Sequence, residues 1–84
     1  MERNQIVLLN ALTRRTRKSL NAGGEGFICT STLSFDVGLN TRSIRRVLDE
    51  AVRAGTVERR DNGPGKSYSY RLRELAASAF RSPE

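Results

Sequence analysis

The sequence of 84 residues carries 15 Lys and Arg against 9 Asp and Glu, a formal net charge of +6. It has no histidine, the usual general base at neutral pH, and one cysteine, too few for an internal disulfide or a thiolate metal site. No apolar run is long enough to span a bilayer, and no signal-peptide pattern opens the sequence. We therefore expect one basic, cytoplasmic, non-enzymatic domain over residues 1–84, without a metal, cofactor or small-molecule ligand.

The first predicted element is a helix over residues 4–20, which a glycine-rich break at residues 21–26 ends. Its apolar side chains gather on one side of a helical wheel, and these are Ile6, Leu8, Leu9, Leu12 and Leu20. The basic residues of the opposite side include Arg14, Arg17 and Lys18. This run is either a set of phosphate contacts or the solvated face of the helix, and the second interpretation is favoured.

Two short elements follow the break. Residues 27–29 are apolar and aromatic, which predicts a brief strand with Cys29 as a small buried side chain. Thr30 or Ser31 then offers a hydroxyl N-cap to a helix of about two turns over residues 31–37. Gly38 is suited to end that helix in the left-handed conformation.

The strongest helical pattern covers Thr41–Ala54. Asn40 is its predicted N-cap, and Gly55 closes it. A single apolar stripe runs along this helix at the spacing i, i+3, i+4 and i+7, and it consists of Ile44, Val47, Leu48 and Ala51.

The last part of the chain predicts a β-hairpin and a short helix. Residues 56–60 and 67–72 both alternate and flank a loop with Gly63-Pro64-Gly65 at its tip. The predicted core face of the returning strand has Tyr68, Tyr70 and Leu72, and the outward face has Ser67, Ser69 and Arg71. A helix over residues 73–80 would continue an apolar stripe of Leu72, Leu75, Ala76, Ala79 and Phe80. That stripe either pairs across a two-fold axis or packs on Leu8 and Leu12 of the same chain.

Residues 27–72 resemble the winged helix-turn-helix family of DNA-binding proteins. The positions that carry the resemblance are the buried Leu33, the small Ser34, the turn Val37-Gly38-Leu39, and the buried Ile44 and Val47 of the second helix. The resemblance implies a mainly α fold with a small β-hairpin, with a helix-turn-helix at about residues 30–54 and a wing at about residues 56–72. Phe35 departs from the pattern because its position is usually polar. Either it marks a partner surface, or the first helix of the motif begins at a residue other than the predicted one.

The resemblance implies that Thr41–Ala54 is a recognition helix whose N-terminal half enters the major groove. The candidate DNA contacts there are Thr41, Arg42, Ser43, Arg45 and Arg46. An Arg that contacts guanine contributes about 1–3 kcal/mol of discrimination. The competing interpretation is a solvated face with the i,i+4 pairs Arg45–Asp49, Arg46–Glu50 and Asp49–Arg53.

The wing adds further candidates, which are Arg59, Arg60, Asn62, Lys66 and Ser67. The resemblance implies contact with the DNA backbone or minor groove, whereas the alternative is an ordinary polar hairpin tip. Thr30 and Ser31 either only cap their helix or also offer a hydroxyl and amide to a phosphate.

These features predict sequence-specific binding of double-stranded DNA by a small transcription regulator, associated with the nucleoid when bound. The alternatives are a replication, partition or recombination factor, a winged-helix protein-interaction module that uses the hairpin and Phe35, and an RNA-binding winged helix. The first and last helices are the available surfaces for a homodimer.

Overall fold

The computed structural model describes residues 3–79, which form four helices and a small three-stranded antiparallel sheet. In chain order the elements are α1 (Arg3–Asn21), β1 (Ile28–Cys29), α2 (Thr30–Val37), α3 (Thr41–Ala54), β2 (Val57–Arg60), β3 (Ser69–Leu72) and α4 (Arg73–Ala79). The predicted order of helix, strand, helix, helix, hairpin and helix is confirmed. No helix among these elements is both long and apolar enough to cross a membrane.

The limits of α3 and the end of α2 are set by local signals that the sequence analysis identified. Asn40 is extended, and its Oδ1 accepts a hydrogen bond from the backbone N–H of Ser43 at 2.8 Å. Gly38 ends α2 with φ +73°, and Gly55 ends α3 with φ +88°. Residues other than glycine rarely adopt this left-handed conformation. The helix bounds at these three positions are therefore confirmed.

The start of α2 differs from the prediction. The helix begins at Thr30, and its N-cap is Cys29, whose side chain makes no capping hydrogen bond. The predicted capping by Thr30 or Ser31 is therefore wrong. An N-cap residue needs an extended backbone, which Cys29 has with φ −77° and ψ 156°, whereas Thr30 is already helical.

The sheet has the order β1-β3-β2, so that β3 is its middle strand. In the hairpin Val57 pairs with Leu72 and Arg59 pairs with Tyr70, and on the other side Ile28 also pairs with Tyr70. The predicted hairpin and the predicted short strand are both confirmed. Because side chains alternate along a strand, the residues on the Tyr70 face lie toward the helices.

The core lies between the helices and this face of the sheet. Its buried apolar residues are Leu8, Ala11, Leu12, Leu33, Ile44, Leu48, Ala51, Val57 and Tyr70. Tyr68 and Leu72 are half-buried and pack against this cluster, so the predicted core face of β3 is confirmed. Ser69 pairs with Arg60 on the outer face of the sheet, as predicted, but it is buried there: the residue is 5% exposed, and its Oγ accepts a hydrogen bond from Asn62 Nδ2 at 2.9 Å.

The helices pack as most of the apolar stripes predict. The Ser34 hydroxyl donates to the Leu39 carbonyl across the turn between α2 and α3. Arg15 of α1 binds both carboxylate oxygens of Asp36 in α2 at 2.6 Å. α4 packs against α1 of the same chain, with Ala76 buried.

Ile6 departs from its predicted core position because it is 44% exposed near the start of α1. Phe80, which was predicted to extend the α4 stripe, lies outside the described residues.

Candidate nucleic-acid interface

The outer face of α3 carries three exposed arginines, Arg42, Arg45 and Arg46. Within residues 3–79 none of them forms an ion pair. The i,i+4 pairs of the competing interpretation, Arg45–Asp49, Arg46–Glu50 and Asp49–Arg53, do not form within residues 3–79. Asp49 instead bonds to residues of the hairpin, so the N-terminal half of α3 keeps a concentrated positive charge.

At the N-terminus of α3, the two predicted hydroxyl residues Thr41 and Ser43 differ in solvent exposure. Thr41 is exposed at the first position of the helix, and Ser43 is half-buried with its backbone N–H held by the Asn40 cap. The hydroxyl of Thr41 is thus the more accessible of the two.

A cleft of about 460 Å³ lies where α3, the β2–β3 loop and the start of α2 meet. It brings together five of the predicted site residues, which are Thr30, Thr41, Arg45, Lys66 and Ser67. Tyr68 and the loop tip from Gly63 to Gly65 complete the lining, together with Asp61. Two cations, Arg45 and Lys66, and one carboxylate therefore share the cleft.

A network of side chains joins α3 to the hairpin beside this cleft. Asp49 Oδ1 accepts hydrogen bonds from Arg59 Nη1 at 3.1 Å and from the Tyr70 hydroxyl at 2.8 Å. The guanidinium carbons of Arg59 and Arg45 lie 4.6 Å and 5.2 Å from the centroid of the Tyr68 ring, within cation–π range. The five side chains form one connected cluster, which fixes the hairpin relative to α3.

The cluster changes the acid–base properties of its members. Burial, and then the hydrogen bond to the Asp49 carboxylate, raise the pKa of Tyr70 to about 12. The hydrogen bond to Asp49 also raises the pKa of Arg59 above its ordinary value. Both protons therefore stay in place at neutral pH.

Two other predicted site residues lie outside this cluster. Arg60 lies on the opposite face of the sheet, and Asn62 binds within the hairpin loop. Arg60 forms an ion pair with Glu25 at 2.7 Å, and its guanidinium carbon lies 4.4 Å from the centroid of the Phe27 ring. Arg71 stacks on the same ring at 4.2 Å and pairs with Glu58. Asn62 donates to the carbonyl of Ser67 and to Ser69, which shapes the loop.

The start of α2 holds an unusual pair of polar groups. Thr30 is 1% exposed, and its Oγ1 has no hydrogen-bond partner among the described residues. Cys29 is half-buried rather than fully buried as predicted, and its Sγ lies 3.2 Å from the hydroxyls of Ser31 and Thr32. Hydrogen bonds from Ser31 and then Thr32 lower the pKa of the Cys29 thiol to about 7.

The basic run of α1 is not part of the cleft. Arg14, Arg17 and Lys18 are exposed and line a separate shallow depression on α1 with Asn21 and Ala22. The favoured interpretation of these residues as a solvated face agrees with this exposure.

Sequence reasoning missed the roles of three members of the cluster. Alternation places Tyr68 and Tyr70 in the core alone, and helical spacing offers Asp49 partners only within its own helix. The contact between Tyr68 and Arg59 could have been predicted from the alternation of the hairpin. Alternation places the two residues on one face of neighbouring strands, at diagonal positions within reach of long side chains.

No protein-family model, curated protein or solved structure matches this chain. What this surface binds is therefore inferred from its own side chains.

Proposed function

We propose that the chain is a winged-helix protein that binds double-stranded DNA. In this proposal α3 enters the major groove, and the β2–β3 loop meets the adjacent backbone or minor groove. The observation that carries it is the row of exposed arginines on α3, Arg42, Arg45 and Arg46, for which the described part of the chain supplies no carboxylate partner. Like charges so close together repel, and phosphates and base acceptors relieve that repulsion.

The position of the β2–β3 loop supports the same proposal. Arg45 of α3 and Lys66 of the loop line one cleft, so a single strand of a duplex would meet cations from both elements. The order of helix, strand, helix, helix and hairpin supports the winged-helix part of the proposal. Within this function we propose a small transcription regulator, and a replication, partition or recombination factor would use the same surface.

The test is a fluorescence-anisotropy titration of a labelled random-sequence DNA duplex over a salt series. Duplex binding predicts that log K falls linearly with log salt, by about 0.9 for each phosphate neutralised. Arg42→Gln is expected to lower both the affinity and the slope. Arg53→Gln is the matched control, because it removes the same charge from an exposed position at the far end of α3.

Three outcomes would contradict the proposal. The first is the absence of duplex binding by the wild-type chain at low salt, and the second is an equal effect of Arg42→Gln and Arg53→Gln. The third is tighter binding of a matched RNA duplex, which would instead indicate an RNA-binding module.

A second candidate function, protein interaction, is favoured by Phe35. This side chain on α2 is 88% exposed, and aromatic anchors are enriched where proteins bind one another. If Phe35 serves a protein partner, Phe35→Ala leaves the duplex affinity unchanged. A fall in duplex affinity would assign Phe35 to the DNA interface instead.

The homodimer through α1 and α4 remains a prediction. Ile6 and Val7 leave apolar surface exposed on α1, and Leu75 of α4 is half-buried. Sedimentation equilibrium is expected to give a dimer that Ile6→Gln weakens. A wild-type monomer at all concentrations would overturn this prediction and leave the proposed DNA binding intact.

A further inference from the structure

Arg45 is oriented by Tyr68 without losing its hydrogen-bond donors. Its guanidinium carbon lies 5.2 Å from the centroid of the Tyr68 ring, and it forms no ion pair with any described residue. Stacking engages the flat face of a guanidinium, whereas its N–H donors point outward in the plane. Arg45 therefore lines the cleft beside Tyr68 with its N–H donors unpaired among the described residues.

A carboxylate that could compete for these donors is Asp49, which lies one helical turn after Arg45. At that spacing on an exposed helix an Arg and an Asp commonly pair. Here the Oδ1 atom of Asp49 accepts hydrogen bonds from Arg59 and from the Tyr70 hydroxyl. The hairpin thus engages Asp49, which forms no ion pair with Arg45.

We propose that Arg45 reads a guanine in the major groove, and that Tyr68 and Arg59 are positioning residues for it. The Tyr68 ring lies within cation–π range of the Arg45 guanidinium, and Arg59 binds the carboxylate that would otherwise pair with it. Guanine presents two neighbouring acceptors, O6 and N7, which match two N–H donors of a guanidinium. This inference rests on the DNA-binding function proposed above, and it names the base pair that the interface selects.

The role given to Arg59 differs from a direct phosphate contact in measurable ways. Loss of a phosphate contact weakens binding to all duplexes and lowers the salt slope by about 0.9. Loss of a positioning residue lowers discrimination between base pairs and leaves the salt slope unchanged. Removal of the Asp49 charge would then compensate for the loss of Arg59.

The first experiment identifies the base pair. A preferred duplex is selected from a random-sequence library, and each G·C pair in it is replaced in turn by A·T. For the wild-type chain we expect one replacement to weaken binding by about tenfold to a hundredfold. Arg45→Ala should bind the two duplexes equally, and the control Arg53→Ala should retain the difference.

The second experiment tests the positioning residues on the same two duplexes. Arg59→Gln is expected to reduce the discrimination at that base pair with an unchanged salt slope, and the double variant Arg59→Gln/Asp49→Asn should restore it. Tyr68→Leu should reduce the discrimination, whereas Tyr68→Phe, which keeps the aromatic face, should retain it. Circular dichroism of each variant separates these effects from loss of the fold.

The outcomes distinguish this inference from the proposed function. If the wild-type chain binds duplex DNA but shows no base preference, or if Arg45→Ala keeps the wild-type preference at every G·C pair, the inference is overturned and DNA binding stands. If Asp49→Asn does not restore discrimination to the Arg59→Gln chain, the role of Arg59 is overturned. The absence of duplex binding by the wild-type chain, or tighter binding of the matched RNA duplex, overturns both proposals.

Discussion

The Tyr70 hydroxyl donates a hydrogen bond to Asp49 Oδ1 across 2.8 Å, which joins the middle strand of the sheet to the exposed side of α3. The residue is fully buried, yet its hydroxyl reaches a carboxylate that is partly open to solvent. Tyr70 therefore serves both as a core side chain and as a polar link between two elements.

Asp49→Ala should destabilise the chain more than its position on a helix surface suggests. The substitution leaves the Tyr70 hydroxyl without its acceptor and Arg59 without its carboxylate. We expect the free energy of unfolding in urea at pH 7 to fall by about 1–3 kcal/mol. Glu50→Ala, which removes the same charge from the next, exposed residue of α3, should change it by less than about 0.5 kcal/mol. Equal effects of the two substitutions would contradict this role of Asp49.

The same hydrogen bond predicts an alkaline loss of stability. The pKa of Tyr70 is about 12 in the folded chain and about 10 in an unfolded one. Between these values the unfolded chain releases the proton while the folded chain retains it, so the free energy of unfolding falls as the pH rises from about 10 to 12. Since the chain has two tyrosines, Tyr68→Phe leaves Tyr70 as the only phenol. Absorbance titration of that variant should give a midpoint well above 10, and a midpoint near 10 would contradict the assignment.

Gly38→Ala should weaken the junction between α2 and α3. Gly38 has φ +73°, and a Cβ at this position would meet no atom within 4 Å. The cost is therefore conformational rather than steric, and we expect thermal unfolding to show a loss of about 1 kcal/mol. Gly38→Asn should cost less, because Asn tolerates the left-handed region better than Ala does. If Ala and Asn were equally tolerated, the backbone at this turn would not require the conformation described.

Cys29 should react with alkylating reagents at lower pH than an ordinary thiol. The pKa of about 7 means that half of the thiol is ionised near neutrality, and only the thiolate is nucleophilic. The rate of alkylation by iodoacetamide should rise with pH and reach half its maximum near pH 7. Ser31→Ala removes the contact that lowers the pKa most and should move this midpoint upward. An unchanged midpoint in that variant would show that Ser31 does not stabilise the thiolate.

The parts of the fold that followed from sequence are those with local causes. Asn40, Gly38 and Gly55 act on the backbone within a few residues of themselves, so the C-terminal end of α2 and both ends of α3 could be predicted at single residues. The apolar stripe of α3 required only the helical period, and its residues Ile44 and Leu48 are buried as expected.

The features of the fold and site that could not be predicted from the sequence depend on contacts between residues distant in sequence. Alternation placed Ser69 on the outer face of the sheet, but it could not reveal that Asn62 of the loop folds over that position. The i,i+4 spacing predicted a partner for Asp49 within α3, and two partners from the hairpin bind it instead. Of the candidate site, the positive residues were predicted from sequence, and the contacts that hold Arg45 and Arg59 were not.

The strand order makes the sheet depend on its last strand along the chain. β1 and β2 each pair with β3 and not with one another, so neither has a partner strand until Ser69–Leu72 is present. Pairing between distant segments is slow because a long loop must close before any contact is gained. During synthesis from the N-terminus, α1, α2 and α3 are therefore complete before any strand pair exists. On a ribosome-bound chain that stops before Ser69, Arg45 would be present without a paired strand to hold Tyr68 beside it, and Asp49 would lack the Tyr70 hydroxyl.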